Sequence, residues 1–397
     1  MKVTNDIIYV GVNDHQTDLF EGQYAVPNGM AYNSYVIRDE KVAVVDTVDV
    51  KFAHEWLDNV GAALGGTKPD YLIIQHMEPD HSANIYNFMK IYPDTTIVGN
   101  AKTFTMIANF FRDMDLEGRK LEVKNGDCLT LGKHELQFLF APMVHWPETM
   151  MTFDETDGVL FSGDGFGCFG TVDGGFLDTR INVDKYWGEM VRYYSNIVGK
   201  YGSPVQKALQ KLGGLPISAI CSTHGPVWTE NIAKVIGIYD RLSRYDADEG
   251  VVIAYGSMYG NTEQMAEAIA EELSAQGVKN IVMHNVTKSH PSYILADIFR
   301  YKGLIIGSPT YSNQIFPEVE ALLSKILLRE VKGRYLGYFG SFTWAGAAVK
   351  RLAEFAEKSK FELVGDPVEM KQAMKDLTYT QCENLARAMA DRLKKDR

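Results

Sequence analysis

Cysteine is scarce in this chain of 397 residues: the four present, Cys128, Cys168, Cys221 and Cys382, lie far apart and form no Cys-x-x-Cys pair. That spacing excludes an iron–sulfur site, a rubredoxin-type iron site and a thioredoxin-like motif, and the four read as reduced, mostly buried thiols. Basic clusters are missing too. With 40 Lys and Arg against 51 Asp and Glu, a net charge of -11, the surface offers no phosphate-binding footprint, so nucleic acid is not an expected partner. No apolar run approaches the roughly 20 residues of a membrane helix. Met1-Lys2-Val3-Thr4-Asn5-Asp6 has no long apolar segment behind its lysine and does not resemble a secretory signal. A cytoplasmic protein with no membrane contact is expected.

What is present is ordinary in bulk, with 46% hydrophobic and 23% charged residues, and the length suits about two or three domains. From about residue 6 to 50 short apolar runs alternate with turn signals, as in an antiparallel sheet joined by hairpins. Residues 51–64 lengthen the period to that of a helix, with Phe52, Trp56, Val60 and Leu64 on one face. The apolar run Tyr71-Leu72-Ile73-Ile74 then delivers Gln75-His76-Met77-Glu78-Pro79-Asp80-His81-Ser82, after which a helix is expected from Ser82 to Met89.

Two imidazoles and two carboxylates within six residues exceed what one metal ion takes from one loop, and a two-metal site is the natural reading. Three later apolar runs repeat the device. Leu136–Phe140 leads to His145, Gly158–Gly163 to Asp164, and Ala219–Thr223 to His224. Seven ligands, His76, Glu78, Asp80, His81, His145, Asp164 and His224, split into two sets of three with one carboxylate shared. A shared carboxylate holds two ions about 3.5–4 Å apart, close enough for both to act on one small molecule. Two divalent ions against three carboxylates and a bridging hydroxide leave no unpaired charge. His15, His54, His134, His284 and His290 lack strand-end placement and read as ordinary surface or core residues.

These residues resemble the metallo-β-lactamase superfamily, whose metal loop is His-x-His-x-Asp-His. Here Glu78 replaces the second histidine, which makes that site harder and favours iron over zinc. The motif His-x-Glu-x-Asp-His with His145, Asp164 and His224 resembles the di-iron centre of the flavodiiron proteins.

After the polar break Asp246-Ala247-Asp248-Glu249-Gly250 strands and helices alternate, as in a parallel βα sheet. Strands are expected at 251–256, 280–283, 303–307, 335–340 and 361–364. Ser257-Met258-Tyr259-Gly260-Asn261-Thr262 opens a helix with hydroxyls and backbone N–H groups that can cradle a phosphate. Two further loops, 308–313 with Pro309, Thr310, Tyr311 and Asn313, and 341–346 with Ser341, Thr343, Trp344 and Gly346, leave the same sheet edge. The three loops resemble those of flavodoxin. The aromatic faces of Tyr259, Tyr311 and Trp344 suit an isoalloxazine ring, and the expected cofactor is FMN.

The expected fold is thus α/β: a metallo-β-lactamase-like αββα sandwich over 1–247, followed by a flavodoxin-like doubly wound parallel sheet over 248–397. A helix at about 379–397 ends the sequence without metal-binding cysteines, so no C-terminal rubredoxin domain is expected. The resemblance implies a non-haem di-iron centre. It assigns His76, Glu78, His145 and Asp164 to one iron and Asp80, His81, Asp164 and His224 to the other, bridged by Asp164. It further implies reduction of dioxygen to water, of nitric oxide to nitrous oxide, or both, with electrons passed through FMN from a separate rubredoxin-like donor. A head-to-tail homodimer or dimer of dimers would bring flavin and irons together. The competing readings are a metal-dependent hydrolase with an appended flavodoxin-like domain, and an electron carrier with a vestigial metal domain.

Overall fold

The computed structural model describes residues 2–396, and the chain divides into two compact units. The first runs to Tyr194 and resumes over Tyr201–Ser243; the second takes Ser195–Lys200 and continues from Arg244.

The first unit holds two facing sheets. One has six strands, in the order Ile7–Tyr9, Tyr35–Ile37, Ala43–Val45, Tyr71–Ile73, Thr96–Gly99 and Lys120–Glu122. Only its first three strands pair antiparallel; from Ala43–Val45 onward the pairing is parallel. The other has five strands, Cys128–Thr130, Glu135–Phe140, Met150–Asp154, Val159–Gly163 and Ala219–Ser222, with only the last pair parallel. Tyr35, Ile37, Val45, Ile73 and Val98 of the first sheet share one core with Leu136, Phe138, Met150, Phe161 and Cys221 of the second. These strands carry apolar residues toward the facing sheet, the arrangement a sandwich core requires.

The strand ends are stitched together across the sandwich. The Tyr35 hydroxyl and the Asn33 amide both donate to the carbonyl of Ser222, at 2.9 and 2.8 Å, and the same amide reaches the carbonyl of Gly225 at 2.8 Å. Gln75 donates its amide to the Thr152 hydroxyl at 2.7 Å, while its backbone carbonyl accepts from the backbone N–H of Met150. These hydrogen bonds fix the loops that follow in place.

In the second unit the strand order is Ile281–Asn285, Asp248–Tyr255, Tyr301–Tyr311, Tyr335–Phe342, with Glu362–Leu363 and Val368–Lys371 sharing the last position. All of these pair parallel. The helices Asn261–Ala275 and Asp376–Lys394 pack together, burying Met265, Ile269, Leu273, Leu385, Met389 and Leu393 against Val251, Ile253, Ile305 and Phe339. The order reverses beside Asp248–Tyr255, the place where such sheets take ligands.

Five local expectations change. Residues 50–52 form a 3₁₀ turn and the helix proper is Ala53–Leu64, with Phe52 half-buried. A helical turn, Pro79–Ser82, already begins inside the metal loop because Pro79 pre-sets the first helical position, and the next helix is Ile85–Ile91. The strand of the second unit starts at Asp248, inside the polar break, and the terminal helix starts at Asp376. The fifth sheet position is two short strands rather than one, because Gly365, with a positive φ, turns the chain between them. Among the described residues no helix is long and apolar enough to cross a membrane.

Asp178 anchors the segment behind His224. Its carboxylate accepts from the backbone N–H groups of Thr229, Glu230 and Asn231 and from the side chains of Thr229 and Asn231. Burial opposes its charge, but these hydrogen bonds outweigh that and hold its pKa below the ordinary aspartate value. Asp178→Ala should cost about 3 kcal/mol in urea unfolding, since several buried donors lose their acceptor. A depressed pKa stabilises the fold above the unfolded-state value and the contribution fades as pH falls through the folded-state value. The destabilisation by Asp178→Ala should therefore shrink in acid, and an equal loss at every pH would contradict this assignment.

Candidate metal centre and nucleotide cleft

Four strand ends of the first unit meet at one buried cluster. His76, Glu78, His145 and Asp164 bring one ligand atom each within 4.8 Å of one another, and Asp80, His81 and His224 do the same beside them. The Nε2 of His145 lies 3.0 Å from both Glu78 Oε2 and Asp164 Oδ2, and the Nε2 of His76 lies 3.3 and 3.6 Å from those oxygens. On the other side, Asp164 Oδ1 is 2.9 Å from His81 Nε2 and 3.5 Å from His224 Nε2, while Asp80 Oδ2 is 3.3 Å from each imidazole. Asp164 thus turns one oxygen to each set.

Local geometry explains these placements. Glu78 is the extended N-cap of the Pro79–Ser82 turn, so Asp80 and His81 emerge on the following turn. The carbonyl of His81 accepts from both the N–H and the hydroxyl of Thr47. The Thr223 hydroxyl donates to Asp164 Oδ1 at 2.7 Å and fixes the carboxylate plane. His224 points its Nδ1 at the carbonyl of Ala31, 2.8 Å away. Gly225 follows with a φ of 77°, and a Cβ there would sit 2.2 Å from Cys168 Sγ, so only glycine fits.

The donor set fits a pair of hard cations. Both carboxylate oxygens of Asp80 and the Nε2 atoms of His81 and His224 are buried without a hydrogen-bond partner, an unsatisfied state that bound cations would relieve. Burial disfavours charge on Glu78, yet His145 and His76 hold its pKa at about 2. Burial likewise disfavours a charged His81, but Asp80 and Asp164 raise its pKa to about 9; for His145, hydrogen bonds to Asp164 and Glu78 do the same. Three carboxylates with four imidazoles suit iron's mixed oxygen and nitrogen preference.

Aromatic rings wall the cluster. Phe20, Tyr32 and Tyr193 stand 5.5, 5.8 and 5.6 Å from the His224 ring, and Trp146 meets His76 edge-on at 5.2 Å. Tyr193 is fully buried and its hydroxyl has no hydrogen-bond partner. Burial and the charges of Asp164, Glu78 and Asp80 raise its pKa well above the usual phenol value, so it keeps its proton. Tyr193, Thr223, Glu148 and Asp46 are site neighbours that strand-end logic does not reach. Tyr194, the next residue along, instead packs on Tyr239. A third group, Asp6, His134 and Asp157, is already served by the chain itself: Lys133 contacts Asp6 at 2.6 Å and Asp154 takes His134 Nδ1 at 2.9 Å.

In the second unit a small cleft of about 80 Å³ opens at the strand-order reversal, where doubly wound sheets take ligands. It is lined by Ser257, Met258, Tyr259, Asn261, Thr262, Pro309, Thr310, Ser341 and Thr343 from the expected set, and also by Phe342 and Gln372. Gly260 N-caps the helix Asn261–Ala275 in a left-handed conformation and donates its N–H to the Ser257 hydroxyl. Thr262 and Ser341 share a hydrogen bond of 2.8 Å, joining the start of the helix Asn261–Ala275 to the end of the strand Tyr335–Phe342. The Thr310 hydroxyl accepts from the N–H groups of Ala347 and Ala348, at the start of the helix Ala348–Ser359. Gly260, Tyr311, Asn313, Trp344 and Gly346 lie outside the lining. Tyr259 is 92% and Trp344 84% exposed, two large rings left in water beside a phosphate-type loop. That is the arrangement a flat aromatic cofactor would cover.

Fold and site together define a metallo-β-lactamase-like domain joined to a flavodoxin-like domain. Residues 30–225 match the model of the ODP family beta lactamases and residues 253–385 that of flavodoxin. The anaerobic nitric oxide reductase flavorubredoxin of Vibrio vulnificus is 33% identical over 367 residues, 91% of this chain and 74% of that protein. The rubredoxin oxygen:oxidoreductase of Desulfovibrio gigas superposes with a TM-score of 0.95 at 30% identity, covering 100% of this chain and 98% of that one. The flavodiiron protein of Giardia intestinalis superposes at 0.92 with 26% identity, covering 99% and 97%. The chain belongs to the flavodiiron protein family.

Asp164→Ala removes the only group common to both sets. Iron per chain, measured by mass spectrometry after anaerobic reconstitution, should fall from two to one or none, with flavin absorbance unchanged. Two retained irons would remove Asp164 from the ligand set.

Proposed function

We propose that this protein is a flavodiiron oxidoreductase that reduces dioxygen to water, nitric oxide to nitrous oxide, or both. The observation that carries the proposal is Asp164 with one carboxylate oxygen aimed at each donor set, the arrangement needed to hold two ions over one small molecule. His76, Glu78, His145 and Asp164 hold one iron; Asp80, His81, Asp164 and His224 hold the other.

Two ferrous ions and reduced FMN, when bound, supply four electrons, the number that takes dioxygen to water. The chain's residues do the rest. The rings of Phe20, Tyr32, Trp146 and Tyr193 exclude bulk water and leave a site suited to small neutral gases. Tyr193 keeps its phenolic proton against the histidine side of the cluster. In the second unit Ser257, Asn261, Thr262 and the N–H groups at the start of Asn261–Ala275 hold the flavin phosphate, and Tyr259 and Trp344 cover the ring. Met258, Gly260, Pro309, Thr310, Tyr311, Asn313, Ser341, Thr343 and Gly346 complete the flavin loops. The working domains are 1–247 for iron and 248–397 for FMN. A separate rubredoxin-like protein delivers the electrons, in the cytoplasm, to a head-to-tail homodimer or a dimer of such dimers.

The test is side-by-side consumption of dioxygen and of nitric oxide by anaerobically prepared protein supplied with reduced rubredoxin. Rapid turnover of at least one gas is expected, and the ratio of the rates identifies the preferred substrate. If neither gas is consumed by protein containing both iron and FMN, the proposal fails.

A further inference from the structure

Beyond the seven donors, one more carboxylate is buried against the cluster. Glu148, 1% exposed, follows Pro147 on the loop that carries His145. Its Oε1 accepts the Nδ1–H of His76 at 2.7 Å and the backbone N–H of Met77 at 2.8 Å. Its backbone carbonyl accepts from the Asn100 amide at 2.6 Å, so the residue is held at both ends. With Nδ1 donating to Glu148, the lone pair of His76 sits on Nε2, the atom facing Glu78 and Asp164.

The two donor sets are not alike in this respect. His224 has a neutral backbone carbonyl on its Nδ1, and the Nδ1 of His81 has no hydrogen-bond partner. A negatively charged acceptor makes an imidazole a stronger donor than a neutral one does. We infer that Glu148 is a positioning residue that fixes the tautomer and orientation of His76 and strengthens its bond to the iron of the His76, Glu78, His145 set, so that the two irons are held unequally. This inference rests on the two-iron reading of the same site.

The test compares iron release from the parent protein, Glu148→Gln and Glu148→Ala, each loaded with two ferrous ions and challenged anaerobically with a chromophoric chelator. Thermal unfolding and FMN content are followed in parallel. In Glu148→Gln the new amide oxygen still accepts both N–H groups, so only the charge is lost. One of the two irons should leave about 10–100-fold faster in Glu148→Ala, the usual cost of removing such a partner, while the other leaves at the parent rate. Glu148→Gln should fall between parent and Glu148→Ala, again for one iron only. A residue that merely supports the fold would speed both irons together and lower FMN retention, and that result overturns the inference. Identical release from parent and Glu148→Gln overturns it too, even if Glu148→Ala does not fold. A parent protein that takes up no iron overturns the two-iron reading itself.

Discussion

The site depends on one carboxylate facing two groups of imidazoles at once, one oxygen toward each. Asp164 is 1% exposed and lies among four buried histidines, so its position is stable only if both of its oxygens are engaged. Each oxygen faces a different donor set, and the Thr223 hydroxyl fixes the plane between them. Moving the carboxylate to favour one set would withdraw its oxygen from the buried imidazoles of the other.

That demand explains the architecture around it. The four strands that deliver the donors belong to two different sheets, so a small slip between the sheets would open the cluster. Hydrogen bonds at the strand ends prevent it: Tyr35 and Asn33 from one sheet to the carbonyl of Ser222, and Gln75 to Thr152 and Met150. Asp178 then ties down the chain just past His224. The second unit solves a simpler problem. Its parallel strands need only end together, and the loops after Tyr255, Tyr311 and Phe342 reach a common edge because the strand order reverses there.

The donors are legible in the sequence because each lies on the loop that leaves an apolar run, and a strand must release its chain at the sheet edge. The flavin loops are legible from hydroxyls and glycine opening a helix. Glu148 is not, because nothing local marks it: it lies 72 residues from His76 and only the fold brings them together. Thr223 and Asp46 are hidden for the same reason, the second as a non-glycine residue in a left-handed conformation, with φ 55°, whose carboxylate accepts from Gln75 N–H. The strand Val368–Lys371 escapes sequence reasoning because four alternating residues after Asp366-Pro367 carry too little signal, and the tertiary partner Tyr335–Phe342 decides the outcome. Loop tips such as Asn313 follow backbone geometry that residue identity does not specify.

The most direct test of the account is anomalous diffraction at the iron edge from crystals of protein purified anaerobically from iron-replete cells. Two peaks about 3.5–4 Å apart, with Asp164 spanning them, are the predicted result. A single peak, or scattering at the zinc edge in place of iron, would contradict it.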